Sequence, residues 1–469
     1  MTHSACRYLA VLAAFGAITQ PVAAQLPRDT WVAAAFDNFI TKTGGGGLFL
    51  VSADRKTKIS ISNPTPNMAG ANAVVADGAG MIYYGTIGGT LVQVPNPGEI
   101  FSVLLTVSGN TATVISEVRL TTGSVGYVNG LALRGDEIWY ADGDDIGFIP
   151  RVGGAATVRV SRATAGIAGL FQSITTDGRH VFFGTSHNSA NRSNVWALDA
   201  NDPSSTVRGV ALCTSFFSSA HSVWDMNLGR DGHVFAGCIG GALFSVDPTL
   251  PHDPANSVIN SGTQLNATRA PQSNANGASL NPWTNIAGVV AGYGSTTRQL
   301  DHFDVAAGTW FSSPVGLLGT GVPSNVTSGT ELPFELFGKG CAGSNSKELR
   351  SGWTGLPLGG QKFDLTLRDA EQGLGMLLIG LSNTTGPFGP LPFNLNSILS
   401  GAPLGCNLLV SWDMHLSTTV TGAGTAKFTI PMPTNPTLNG VSVFTQWAVI
   451  GFSSGVISVS DGVHIRPRT

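Results

Sequence analysis

The run Asp177-Gly178-Arg179-His180-Val181-Phe182-Phe183-Gly184 decides the reading of this chain. Asp-Gly supplies the positive-φ residue of a tight hairpin turn. Val-Phe-Phe behind it reads as a strand of β-branched and aromatic residues, buried on both faces. The same unit recurs. Ala76-Asp77-Gly78-Ala79-Gly80 leads into Met81-Ile82-Tyr83-Tyr84-Gly85, and Arg134-Gly135-Asp136-Glu137 into Ile138-Trp139-Tyr140-Ala141. Asp231-Gly232-His233 leads into Val234-Phe235-Ala236-Gly237, and a worn copy runs from Ile286-Ala287-Gly288 into Val289-Val290-Ala291-Gly292. Taken at positions 83, 139, 182, 235 and 290, the interval is 43 to 56 residues.

Each unit carries a strand before the turn, as in Asn72-Ala76, Asn129-Leu133, Gln172-Thr176 and Trp224-Leu228. Another follows it, as in Ile146-Arg151, Asn194-Asp199, Ala242-Asp247 and Gln299-Asp304, and several units add a more polar fourth run. Four antiparallel strands at this interval are the pattern of a propeller blade. Thr30 to Ser62 reads as one more blade without a first strand. The expectation is therefore an all-β chain with a six-bladed β-propeller over residues 30–315. Its ring closure would borrow a strand from the far end. An array of β-sandwiches is the competing all-β reading.

Composition agrees. The chain has 469 residues, 61 of them Gly, and only 11% are charged, which excludes coiled coils and charge-rich disorder. Net charge is −3, so nothing draws the chain to nucleic acid. Residues 1–24 read as a signal peptide, with Arg7, the apolar run Tyr8–Ile18 and the small-residue site Val22-Ala23-Ala24. That run is too short to span a bilayer as a helix, and no later stretch is apolar for eighteen residues, so a secreted or cell-surface protein is expected. Setting Cys6 aside leaves Cys213, Cys238, Cys341 and Cys406, which allow three pairings. The local one, Cys213–Cys238 with Cys341–Cys406, keeps each bridge inside one domain. Residues 316–334, rich in Gly, Ser, Thr and Pro, read as a linker. Residues 335–469 alternate as short strands, clearest in Phe363-Asp364-Leu365-Thr366-Leu367, and suggest a β-sandwich.

The repeated unit of first strand, Asp-Gly turn and aromatic strand resembles six-bladed NHL-like propellers, which serve mostly as binding platforms. The C-terminal segment resembles a β-sandwich module found behind repeats in secreted proteins of environmental bacteria. The residues that carry this second resemblance include Gly338-Lys339-Gly340-Cys341-Ala342-Gly343, Leu378-Ile379-Gly380-Leu381-Ser382, Gly405-Cys406-Asn407-Leu408 and Phe444-Thr445-Gln446-Trp447-Ala448. That resemblance implies a Cys341–Cys406 disulfide and a sorting or attachment role.

Reactive constellations are scarce. Gly451-Phe452-Ser453-Ser454-Gly455 matches GxSxG but lies between two strands, where it reads as a turn. Asp142-Gly143-Asp144-Asp145 crowds three carboxylates that would suit calcium; a solvated hairpin turn is the plainer reading. No other cofactor is expected. Aligned blades put Asn72, Asn129, Gln172 and Trp224 at equivalent leading positions, with His221, Asn281 and Trp283 on neighbouring loops. Asn72, Asn129, Gln172, His221, Trp224 and Trp283 are the candidate ligand-binding residues. A gluconolactonase-like propeller would require a Glu beside Asn129, and a streptogramin-lyase-like one a Glu beside His221. The Glu residues of this region, Glu99, Glu117 and Glu137, stand elsewhere. The leading expectation is a non-enzymatic scaffold for an extracellular protein or polysaccharide. The alternative is a metal-assisted hydrolase or lyase in the propeller channel.

Overall fold

The computed structural model describes residues 27–36, 46–78, 80–87, 98–186, 193–214, 222–268, 275–291, 299–312 and 322–469. Residues 1–24, read above as a signal peptide, lie outside them. The chain divides into two compact units, one reaching to Gly229 and continuing through His233–Glu331, the other made of Arg230–Gly232 and Leu332–Thr469. No helix among the described residues is long and apolar enough to cross a membrane.

The first unit is all-β and propeller-like. Among the described residues it contains six antiparallel groups of four strands. Their first strands are Val322–Thr327, Ala71–Ala76, Gly130–Arg134, Phe171–Thr176, Val223–Leu228 and Ala275–Asn281. These lie against one another in cyclic order, each beside the next and the last beside the first. The first group takes that strand from the far end of the repeat region: Val322–Thr327 pairs antiparallel with Trp31–Phe36, joining Thr327 to Val32 and Val326 to Ala33. The borrowed strand falls within the segment read as a 316–334 linker, and this corrects that reading. Its Gly/Ser/Thr/Pro composition masks a strand because Pro323 sits at a register irregularity, where a missing N–H costs no ladder bond. The first and second groups also join edge to edge, by parallel pairing of Ser60 with Thr111 and Ile61 with Ala112.

Strand alternation explains why the repeated aromatic strands are apolar throughout. Consecutive side chains point to opposite faces, and here each face meets a different neighbour. Phe182 joins the core shared with Val223, Met226 and Val234 of the fifth group. Val181 and Phe183 join the core shared with Trp139 and Ile146 of the third. Full burial of one such phenylalanine contributes about 2–3 kcal/mol. The turns are as read: Gly135 and Gly178 have φ of +50° and +97°, and in the worn copy Asn285 takes the role at +60°.

The second unit is a β-sandwich. Five strands run in the order Phe334–Phe337, Ile457–Ile465, Val443–Gly451, Gly373–Gly380, Met414–Val420, and three in the order Arg350–Thr354, Lys362–Arg368, Ala426–Pro431. The sheets meet through Phe428 stacked on Trp447 and Phe334 stacked on Trp353. Phe363, Leu365 and Leu367 are buried while the residues between them are not, as their alternation requires. Cys341 and Cys406 are bonded.

Cys213 and Cys238 are not bonded; both are buried free thiols. Each is held by its own group. Asn194 clamps Cys213 by donating to its carbonyl and accepting from its amide, both at 2.8 Å. Cys238 is fixed in the ladder between Val223 and Ala242. Topology brings both to one end of adjacent groups, but it does not impose the Cα separation a bridge needs. Burial raises both thiols, Cys238 to about 12. A water-soluble disulfide reagent at pH 8 should therefore find neither thiol in the native chain and both after unfolding. Native-state reaction of either would contradict this burial.

Candidate functional site

The leading ends of the first strands form the candidate site. Five of the six first strands carry a register irregularity there. The residue left unopposed is Asn72, Gln172, Trp224, Asn276 or Ser324. In the remaining group, Asn129 precedes the strand and donates its backbone N–H to Ala141. The four positions aligned from sequence are thus structurally equivalent, and Asn276 and Ser324 complete the set. A bulge re-aims the side chains around it.

What these residues do differs around the ring. Asn72 donates to the Val128 carbonyl at 2.8 Å and to Asn129 Oδ1 at 3.2 Å, and Asn129 donates to the Phe171 carbonyl at 3.0 Å. Both amide nitrogens are spent tying one first strand to the next. Gln172 makes no side-chain hydrogen bond among the described residues. The Trp224 indole N–H is buried and also unpartnered. Trp283 does not belong with them. It lies in the turn after Asn281, at the opposite end of the strands, donating its indole N–H to the Glu331 carbonyl at 2.8 Å. His221 lies outside the described residues.

The residue after each unopposed position faces the crowded axis. Here sequence reading missed Asp225. Its carboxyl is fully buried and accepts from the backbone N–H of Met226 (2.9 Å), Ala278 (3.2 Å) and Val326 (3.4 Å). Asn325, whose side chain also hydrogen-bonds Asp225, accepts from Val74 N–H at 3.1 Å. First strands of four groups meet through these two side chains. Elsewhere the approach is closer still: a Cβ on Gly277 would sit 2.8 Å from the Asn325 Cα, and one on Gly130 would sit 2.9 Å from the Ile174 nitrogen. Burial outweighs these hydrogen bonds and lifts Asp225 to about 8. The only signal in the sequence was an Asp inside a mostly apolar strand.

Other constellations are structural. Ser193 and His252 meet at 2.8 Å through Nε2. Asn260 N–H donates to His252 Nδ1 at 3.1 Å, so Nδ1 is the acceptor and Nε2–H donates to the serine. A histidine in that tautomer has no lone pair to take the serine proton, so the pair is a clasp and not an activated nucleophile. Asp142 accepts from the backbone N–H of Gly126, Asp144 and Asp145, and Asp144 is paired with Arg162 at 2.7 Å. The acidic turn is thus organised by its own backbone and an arginine. Among the described residues no three His, Cys, Asp or Glu side chains converge as a metal site. Ser453 and Ser454 of the GxSxG match both donate to Glu371, in a turn between strands.

Two outcomes follow. Asn129→Ala strips a partner from Asn72 and leaves the Phe171 carbonyl unpaired, so urea unfolding should show a loss of about 1–3 kcal/mol. Asp225 binds its proton more tightly folded than unfolded. Its contribution is therefore greatest below pH about 4, declines as pH rises, and levels off above about 8. Asp225→Asn should remove that slope from a melting-temperature series across pH 4 to 8. An unchanged slope would mean that Asp225 is ionised in the fold.

No family model matches the chain, and no curated protein matches it. Among solved structures, the periplasmic gluconolactonase of Pseudomonas aeruginosa aligns at 11% identity over 63% of this chain and 98% of that one, with a TM-score of 0.43. TolB of Acinetobacter baumannii aligns at 13% identity over 63% and 66%, with a TM-score of 0.38. The WD40 domain of Neurospora crassa Pan2 aligns at 10% over 65% and 78%, with a TM-score of 0.33.

Proposed function

We propose that this chain is a non-enzymatic binding or scaffold protein of an extracytoplasmic compartment. Its NHL-like repeat region would present the leading ends of the first strands to an extracellular protein or polysaccharide, and its C-terminal sandwich would serve sorting or surface attachment. One observation carries the reading. The polar groups at the leading ends divide into a spent half, Asn72 and Asn129, and an unspent half, Gln172 and Trp224, on neighbouring strands. The spent amide nitrogens hold strands together. The half-buried Gln172 amide offers a partner hydrogen bonds that the protein leaves unmade, and the half-buried Trp224 ring offers an indole face, a common anchor of interfaces. The Cys341–Cys406 bridge agrees with an oxidising compartment.

The test uses the purified chain. Lactone and ester hydrolysis, with and without chelator, should stay at background. Quenching of tryptophan emission by soluble polysaccharides or by extracellular proteins of the producing cell should weaken in Trp224→Phe and Gln172→Ala, with melting temperature retained. Turnover that a chelator or Asn129→Ala abolishes would establish the hydrolase or lyase instead.

A further inference from the structure

The sandwich displays a small aromatic surface that its core does not account for. Phe388 is 44% exposed at the tip of the hairpin formed by Thr385–Gly386 and Gly389–Pro390. Its ring lies 5.5 Å from Phe393 and 6.4 Å from Trp412, measured between centroids, and Trp412 is 6.3 Å from the exposed His415. Leu381, at 37% exposure, follows the strand that ends at Gly380. Phe393 and Trp412 rest on the core around Leu378, Leu395 and Val410, so the surface has a firm base.

The backbone beneath it is fixed in an unusual conformation. Trp412 has a φ of +48°, a left-handed value that bulky residues avoid. Its neighbours hold it there: Ser411 N–H donates to the Ser382 carbonyl and Asp413 N–H to the Ile379 carbonyl, each at 2.9 Å. The approach is close enough that a Cβ at Gly380 would stand 2.8 Å from the Ser411 nitrogen. The chain thus keeps the tryptophan aimed, and three polar groups lie beside it unspent. The Trp412 indole N–H has no partner among the described residues and is not buried. Asp413 uses Oδ2 for Leu381 N–H and the Ser411 hydroxyl, leaving Oδ1 unpaired in an exposed carboxylate. His415 carries no hydrogen bond on its ring.

From this geometry we infer that Phe388, Phe393 and Trp412, with Asp413 and His415 at their edge, form a binding site for a neutral polysaccharide. A sugar ring has an apolar C–H face, which suits the electron-rich face of an aromatic ring. It also has hydroxyls around its edge, which need a donor and an acceptor set close to that face. Trp412 Nε1 and Asp413 Oδ1 are such a pair. A lipid surface is a poor match because the one fixed charge here is the Asp413 carboxylate, which repels anionic headgroups. The same charge disfavours acidic polymers. The inference is independent of the reading of the repeat region, since every residue it uses lies in the sandwich.

Native affinity electrophoresis of the full chain in gels containing hydroxyethyl cellulose, laminarin or mannan tests it, with alginate as the acidic control. At least one neutral polymer should retard the wild-type chain, and alginate should not. Phe388→Ser, an exposed change that spares the core, should weaken retardation at least tenfold at unchanged melting temperature. Asp413→Asn should weaken it several-fold, and Phe452→Ser, an exposed change beyond the opposite end of the same sheet strands, should leave it intact. The inference fails if no neutral polymer retards the chain, or if Phe388→Ser binds like wild type. It fails equally if sedimentation shows a dimer that Phe388→Ser dissolves, because the patch would then join two copies.

Discussion

Asp225 sits where the first strands converge, and the constraint it answers governs the repeat region. Six strands brought together leave almost no room between backbones, and any polar group trapped there must be paired. The fold meets this in two ways. Where strands nearly touch, it places glycine, as at Gly130 and Gly277. Where a gap remains, it places a side chain that reaches several amides at once. Asp225 takes N–H groups from its own strand and from two others, and Asn325 extends the link to Val74. A carboxyl enclosed by backbone and cut off from water keeps its proton more readily than a solvated one. The centre of the array is thus a polar knot.

The knot also explains how the leading ends share their work. Tight convergence lets Asn72 and Asn129 span the gap to the next strand, so their amides become part of the frame. Across the array, Gln172 and Trp224 are left outside the frame. The polar residues at the leading ends are thus partly structural and partly unspent.

Much of the architecture was legible because it rests on local chemistry. Asp-Gly turns and two-faced apolar strands recur visibly, and the missing first strand of Thr30–Ser62 announced a borrowed one. The identity of that strand was not legible: Val322–Thr327 gains its structure from a ladder to Trp31–Phe36, and its own composition resembles a loop. Asp225 was invisible for a related reason. Its partners Ala278 and Val326 stand 53 and 101 residues away, and no local pattern marks them. Cys213 and Cys238 were paired because they are neighbours in sequence within one domain, yet each stays with its own anchors. Trp283 was misplaced because adjacency in sequence to a first strand does not tell which end of it a loop serves. Phe388 and Trp412 gave no signal, since their grouping depends on a hairpin folding back over a distant strand end.

The borrowed strand has a consequence for how the chain comes into being. Trp31–Phe36 emerges early in synthesis, whereas its partner, ending at Thr327, emerges only after every other group of the repeat region. Until then Trp31–Phe36 presents an open, apolar edge of the kind that recruits other strands. Contacts this far apart in sequence also form slowly. The repeat region therefore reaches its final topology last, and the growing chain must pass through a long interval with that edge uncovered. Protection of the edge during this interval, rather than stability of the finished fold, is the step at which production of this protein is most exposed to failure.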